Sequence, residues 1–193
     1  MPALWPAFIT TVGGFLDLKT PKTEKETADF IINAYTVAVV TSNISTIPGS
    51  TILSLPSIID LKDSLKEVFE KIKKENKIDP ATFNNFSKAN VDFWKNVKWN
   101  PMPPPPGFVG PDPSSIFGPG VQTEFSGDFS YLNTLLNANL AAPPLPGPGG
   151  VIVATKLSQT FASHLFTING FYNGLVPGTP PAPGPPLPWQ AVI

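Results

Sequence analysis

Residues 58–76 read IIDLKDSLKEVFEKIKKEN, and the fold class turns on this stretch. Ile58, Leu61, Leu65, Val68, Phe69 and Ile72 recur at spacings of three and four, which puts them on one face of an α-helix, while lysines and acids fill the other. Glu67 with Lys71 and Glu70 with Lys74 stand at i, i+4 in the favourable acid-first order, and Ser57 with Asp60 resembles a capping box. Asn76 or Lys77 ends the helix. Immediately downstream, Asp79-Pro80 reads as an N-cap with proline at the first helical position. It opens a second helix to about residue 98 that carries Phe83, Phe86, Phe93, Trp94 and Val97 on one side. A short turn between the two predicts an antiparallel pair.

Upstream, Thr23 and Glu26 form a Thr-x-x-Glu capping box and introduce a helix over 24–42. That helix is apolar almost all round, from Ala28 and Phe30 to Val39 and Val40, as expected of a central buried helix. Its apolar run is shorter than the roughly 20 residues needed to span hydrocarbon. Residues 1–15 lack a basic n-region and carry Pro2 and Pro6, a poor match to a secretory signal. Downstream, Tyr131, Leu132, Leu135, Leu136 and Leu140 predict a helix over 127–141. Leu157, Phe161, Leu165, Ile168 and Tyr172 predict another over 154–173, with Gly174 as its cap.

Charge and proline divide the chain. Among 193 residues there are 25 Pro, 15 Gly, 13 Lys, no Arg, no Cys and one His. Residues 1–98 hold twelve of the lysines and eleven of the fourteen acids but only six prolines. Residues 99–193 hold the other nineteen prolines and four charged side chains, Asp112, Glu124, Asp128 and Lys156. The expected organisation is a helical domain over 1–98, a proline-rich linker or strap over 99–126, an apolar helical pair over 127–176 and a proline-rich C-terminal arm over 177–193. The expected fold is mainly α, a small helical bundle with long proline-rich extended segments and that arm.

Composition excludes several chemistries. Without cysteine there are no disulfides, thiolate zinc sites, iron–sulfur clusters or cysteine nucleophiles. A formal charge of −1, lysines interleaved with acids and the absence of arginine argue against nucleic acid as a partner. His164 is the one histidine, and its neighbour Ser163 would point about 100° away on a helix, so the two do not make a nucleophile and base by adjacency. Asp60/Asp63 and Glu67/Glu70 fall on the solvated face of their helix. Gly147-Pro148-Gly149-Gly150 lacks the strand–glycine–helix order of a phosphate loop, and Pro148 removes a donor. The Pro-x-x-Pro frames at Pro103/Pro106, Pro180/Pro183 and Pro183/Pro186 lack basic flanks, and Asn43-Ile44-Ser45 and Asn85-Phe86-Ser87 are too short a pattern to argue from. No catalytic residue, cofactor or metal ligand is expected.

The run 157–193 contains no Asp, Glu, Lys or Arg over 37 residues, yet it carries aromatic and aliphatic anchors. A disordered tail is usually low in hydrophobicity and high in charge. A cover of other polypeptide is therefore expected, with Trp5, Phe8, Phe161, Leu165, Phe171, Tyr172, Leu187 and Trp189 as partner-interface residues, each worth about 1.5–3 kcal/mol when buried.

The opening Met1-Pro2-Ala3-Leu4-Trp5-Pro6-Ala7-Phe8, the closing Pro183-Gly184-Pro185-Pro186-Leu187-Pro188-Trp189, and lysine in place of arginine without cysteine together resemble the small virion structural proteins of tailed bacteriophages. The contractile-tailed phages with AT-rich genomes are the nearest in style. The resemblance implies a non-enzymatic structural subunit of the tail, baseplate, neck or capsid, located in the virion and packed on other structural subunits as a homo-oligomer or heteromeric assembly. The chain departs from tail-tube and decoration proteins in showing no β-rich module. The alternative is a membrane-associated or cell-envelope protein with 28–47 and 151–176 in lipid, although a membrane is not the expected partner. A hydrolase using His164 is a third option.

Overall fold

The computed structural model describes residues 3–45, 51–99, 122–126, 129–140, 149–172, 175–176, 182–183 and 187–193. Six helices account for most of them: α1 (Trp5–Asp17), α2 (Glu24–Val39), α3 (Ile59–Glu75), α4 (Asn84–Lys95), α5 (Phe129–Leu140) and α6 (Gly149–Thr167). The expected mainly α class holds.

Helix α2 starts where its capping box requires, with Thr23 N donating to Glu26 Oε2 (2.8 Å) and Glu26 N to Thr23 Oγ1 (3.1 Å). It stops at Val39 rather than residue 42. Helix α3 ends on Asn76, which takes the left-handed conformation at φ 49° that asparagine tolerates. At its start Ser57 Oγ accepts from Ile59 N (3.3 Å), so the expected reciprocal box with Asp60 is not the contact formed. On the outer face Lys66 pairs with Glu70 (3.3 Å), and Lys71 turns away from Glu67 to reach Asp79 (3.0 Å). The Asp79 carboxylate has two further donors, Ala81 N (2.8 Å) and Thr82 Oγ1 (3.2 Å). The cap chemistry read from Asp79-Pro80 therefore closes a turn at 80–83, and α4 begins at Asn84.

Helix α1 has no counterpart in the sequence reading. Pro6 lies in its first turn, where a missing N–H is harmless. Leu4 N donates to Ala38 O (2.8 Å), tying its start to the end of α2. Helix α6 also differs from expectation. It begins five residues earlier, at Gly149, and stops at Thr167, after which Asn169–Tyr172 form a strand instead of a last helical turn. Gly174, the expected cap, lies outside the described residues, as do the prolines of 100–121 and most of those in 177–193.

The helices pack in chain order, α1 on α2, α2 on α3, and so on to α5 on α6, and α6 returns to pack most extensively on α1. The ring closes around one core. Glycines make the closure possible: a Cβ at Gly13 would lie 2.9 Å from Val151 Cα, and one at Gly150 would lie 2.5 Å from Gly13 O. Asp17 Oδ1 accepts from Gly150 N (2.8 Å), so the last turn of α1 caps the first turn of α6. Residues expected in separate segments, 1–98 and 127–176, thus contribute to a single hydrophobic cluster.

Among the described residues there are also seven short strands. β1 (Ile52–Ser54) pairs antiparallel with β2 (Lys98–Trp99), and β5 (Leu175–Val176) with β6 (Ala182–Pro183). β3 (Gln122–Ser126), β4 (Asn169–Tyr172) and β7 (Leu187–Gln190) form an antiparallel sheet with β4 in the middle. Beyond β7, Val192 bridges to Ile44, Asn43 and Ile193 exchange two backbone hydrogen bonds of 2.9 Å, and Val192 N donates to Leu165 O (3.0 Å). Val192 is only 1 % exposed. Residues 187–193 are therefore held by their own chain.

Candidate interaction surface

The residues expected at a partner interface divide into three groups. Phe8, Phe161 and Leu165 are buried in this chain's own core, which corrects their assignment to a surface for neighbours. Phe161 is the hub: its ring centroid lies 4.6 Å from that of Tyr35, 6.1 Å from Phe86 and 6.2 Å from Phe8. The cover that α6 needs is largely α1. Trp5 is half-buried against the same cluster, stacked 6.5 Å from Phe161. For Phe171, Tyr172, Leu187 and Trp189 the backbone lies in β4 and β7, paired with each other, and their side chains are outside the described set.

His164 is completely buried on α6, whereas Ser163 beside it is exposed. The pair is splayed as helix geometry demands. A buried polar contact joins α2 to α4. Trp94 Nε1 donates to the Tyr35 hydroxyl (2.7 Å), and Asn90 Nδ2 lies 3.5 Å from the same oxygen. Burial pushes the Tyr35 hydroxyl up to about 12, against smaller lowering effects from Asn90 and Trp94. A phenol kept protonated in a dry core serves as a hydrogen-bonding strut between α2 and α4.

Two surface depressions stand out among the described residues. One, of about 480 Å³, lies between the start of α3 and α4 and carries Asp60, Asn85, Lys88, Asp92 and Asn96 above Leu61 and Phe93. Its polar groups are largely engaged locally: Asn85 with Glu67 (3.3 Å), Asp92 with Lys95 (3.4 Å), and the Lys88 ammonium over the Phe129 ring (5.3 Å). Among the described residues no group of three or more His, Cys, Asp or Glu side chains is placed to hold a metal ion.

The other depression, about 280 Å³, runs between α1 and α2 and is lined by Leu4, Ala7, Thr11, Phe30, Ala34 and Val37 among others, none of them charged. Leu4 is 44 % exposed, Val37 62 %, and Val40, one turn beyond Val37, 48 %. Helix α2 buries Ile31, Ile32, Tyr35 and Val39 on its inner side, so its apolar residues outnumber what the core can cover. The expectation of a helix buried all round is corrected here: one stripe faces out. The signal was in the sequence, because an amphipathic helix would carry polar residues at 37 and 40.

No helix among the described residues is long and apolar enough to cross a membrane. No protein-family model matches the chain, and no curated protein or solved structure matches it.

Proposed function

We propose that this protein is a non-enzymatic structural subunit of a large assembly, in keeping with its resemblance to tailed-bacteriophage virion proteins, and that it packs on neighbouring structural subunits through the α1–α2 groove. The observation that carries the reading is the groove itself. Its lining has no charged side chain, and Leu4 and Val37 stand open beside it. Apolar side chains presented together on a surface mark interaction sites when they form a concave, uncharged face. The chain as a whole supports the reading, since only 14 % of its residues are charged, against about 25 % in an ordinary soluble domain.

Helix α1 packs more extensively on α6 than on any other helix. Phe161 and Leu165 of α6 are covered within the chain although Val151 and Phe166 stay exposed, and the surface offered to neighbours is the groove between α1 and α2. The proline-rich segments beyond residue 99 and the arm over 177–193 belong to the proposal as further contacts with neighbours, while residues 191–193 are seated on the end of α6 and on the loop after α2.

The test is quantitative mass spectrometry of purified particles from cells that produce this chain. Multi-copy incorporation is expected, with Val37→Glu reducing it while the purified variant keeps its helical circular dichroism. Absence from particles, or unchanged incorporation of Val37→Glu, refutes the proposal.

A further inference from the structure

A third cavity, separate from the groove, lies inside the ring of helices. It has a volume of about 90 Å³ and is walled by Ile31, Leu65, Phe86, Leu136, Leu157 and Phe161 at its deep end. These residues are nearly inaccessible to solvent. On one side the wall passes to Leu16, Thr27, Phe69, Leu140 and Val153, which are only partly buried. The cavity thus has an outer rim contributed by five helices and a floor in the core. No polar surface lines it. Thr27 is its one polar side chain, and the hydroxyl is turned back to donate to Thr23 O (3.0 Å) on its own helix.

Native interiors contain few voids larger than a water molecule. A void without polar partners stays dry, and an engineered cavity of about 150 Å³ with Leu, Ile and Phe walls takes up benzene or xenon. At about 90 Å³ this one is too small for a ring with substituents and well suited to the end of an unbranched hydrocarbon chain. We propose that the cavity is a binding site for a single aliphatic chain, which enters past Leu16, Phe69 and Val153 and places its terminal carbons against Phe161. This site is independent of the assembly proposed above and would stand if that reading fell.

Methyl-resolved NMR of the full chain tests it, with xenon and a series of straight-chain alcohols from propanol to hexanol as probes. Shifts are expected at the methyls of Ile31, Leu65, Leu136 and Leu157. Affinity should rise about fourfold per added methylene until the cavity is full and then level off. Val153→Leu, which fills the outer part, should weaken hexanol by roughly tenfold or more while leaving the melting temperature unchanged or higher. Leu140→Phe, which narrows the rim from a different helix, should do the same and guards against misfolding of the first variant. Xenon shifts without alcohol shifts mean a closed void and overturn the proposal. Alcohol affinity in both variants equal to that of the wild type, or shifts confined to surface methyls, also overturns it.

Discussion

Gly13 and Gly14 are neighbours in α1, and alanine at the two positions should have opposite effects. In an exposed helix interior Gly→Ala gains about 1 kcal/mol. A Cβ at Gly14 meets nothing within 4 Å, so Gly14→Ala should show that gain undiminished. At Gly13 the new Cβ would lie 2.9 Å from Val151 Cα and 3.2 Å from Val151 N. Both are backbone atoms, so no side-chain rotation relieves the overlap, and α1 must move away from α6 along their whole contact. Overpacking of a closed core costs about 1–3 kcal/mol, and a backbone obstacle belongs at the upper end. Set against the propensity gain, Gly13→Ala should be destabilised by about 2 kcal/mol, leaving the two variants about 3 kcal/mol apart. For a chain of this size that separates their melting temperatures by about 6–12 °C. Urea and thermal unfolding followed by circular dichroism measure it. If Gly13→Ala proves as stable as Gly14→Ala, the close crossing of α1 and α6 is wrong, and with it the closed ring.

Three further outcomes follow from the same core. Phe161→Ala should cost about 3–5 kcal/mol and should loosen α2 and α4 together with α6, seen as simultaneous loss of amide protection in all three; loss confined to α6 would separate the halves of the chain. Tyr35 has a folded pKa raised to about 12 from 10.0, so its contribution is complete below pH 10 and is lost as pH rises through the folded value, a decline of order 3 kcal/mol. Tyr35→Phe should flatten this alkaline limb and, by leaving the buried Trp94 N–H without its acceptor, cost about 1–3 kcal/mol at neutral pH; an unchanged limb in denaturant titrations would remove Tyr35 as its source. Val192→Ala should cost about 2 kcal/mol, since this side chain is buried where the last residues return to α6; a loss under 0.5 kcal/mol, ordinary for a surface position, would mean that the end of the chain is not docked.

Helices α2, α3 and α5 were legible because their signals are local: a capping box, three-and-four spacing, an αL asparagine. Helix α1 was not, because Pro6, Gly13 and Gly14 look like breakers. Proline is harmless in a first turn, and Gly13 is explained by Val151, more than a hundred residues away. The same distant contact explains Gly150, which read as loop on its own and so hid the first turn of α6. The strand at 169–172 was masked by Ile168 and Tyr172 continuing a helical spacing, while the pairing that decides it comes from 122–126 and 187–190.

The candidate surface was legible in part. An uncharged run shows that a segment needs cover but does not say from which chain, and Phe161 and Leu165 were assigned to a neighbour when α1 and α2 of the same chain supply much of the packing. Conversely, Val37 and Val40 were read as buried because the helix has too little polar surface to declare an outside. Which of its apolar faces is left open depends on where α1 lies, and that is set by the crossing at Gly13.

The open face of α1 and α2 is proposed to meet other structural subunits. Light scattering coupled to size-exclusion chromatography decides whether it does. The purified chain, 20.7 kDa as a single copy, should elute as oligomers whose mass increases with concentration, and Val37→Glu should return it to the single-copy mass with its helicity intact. A wild-type chain that stays at the single-copy mass at high concentration contradicts the claim.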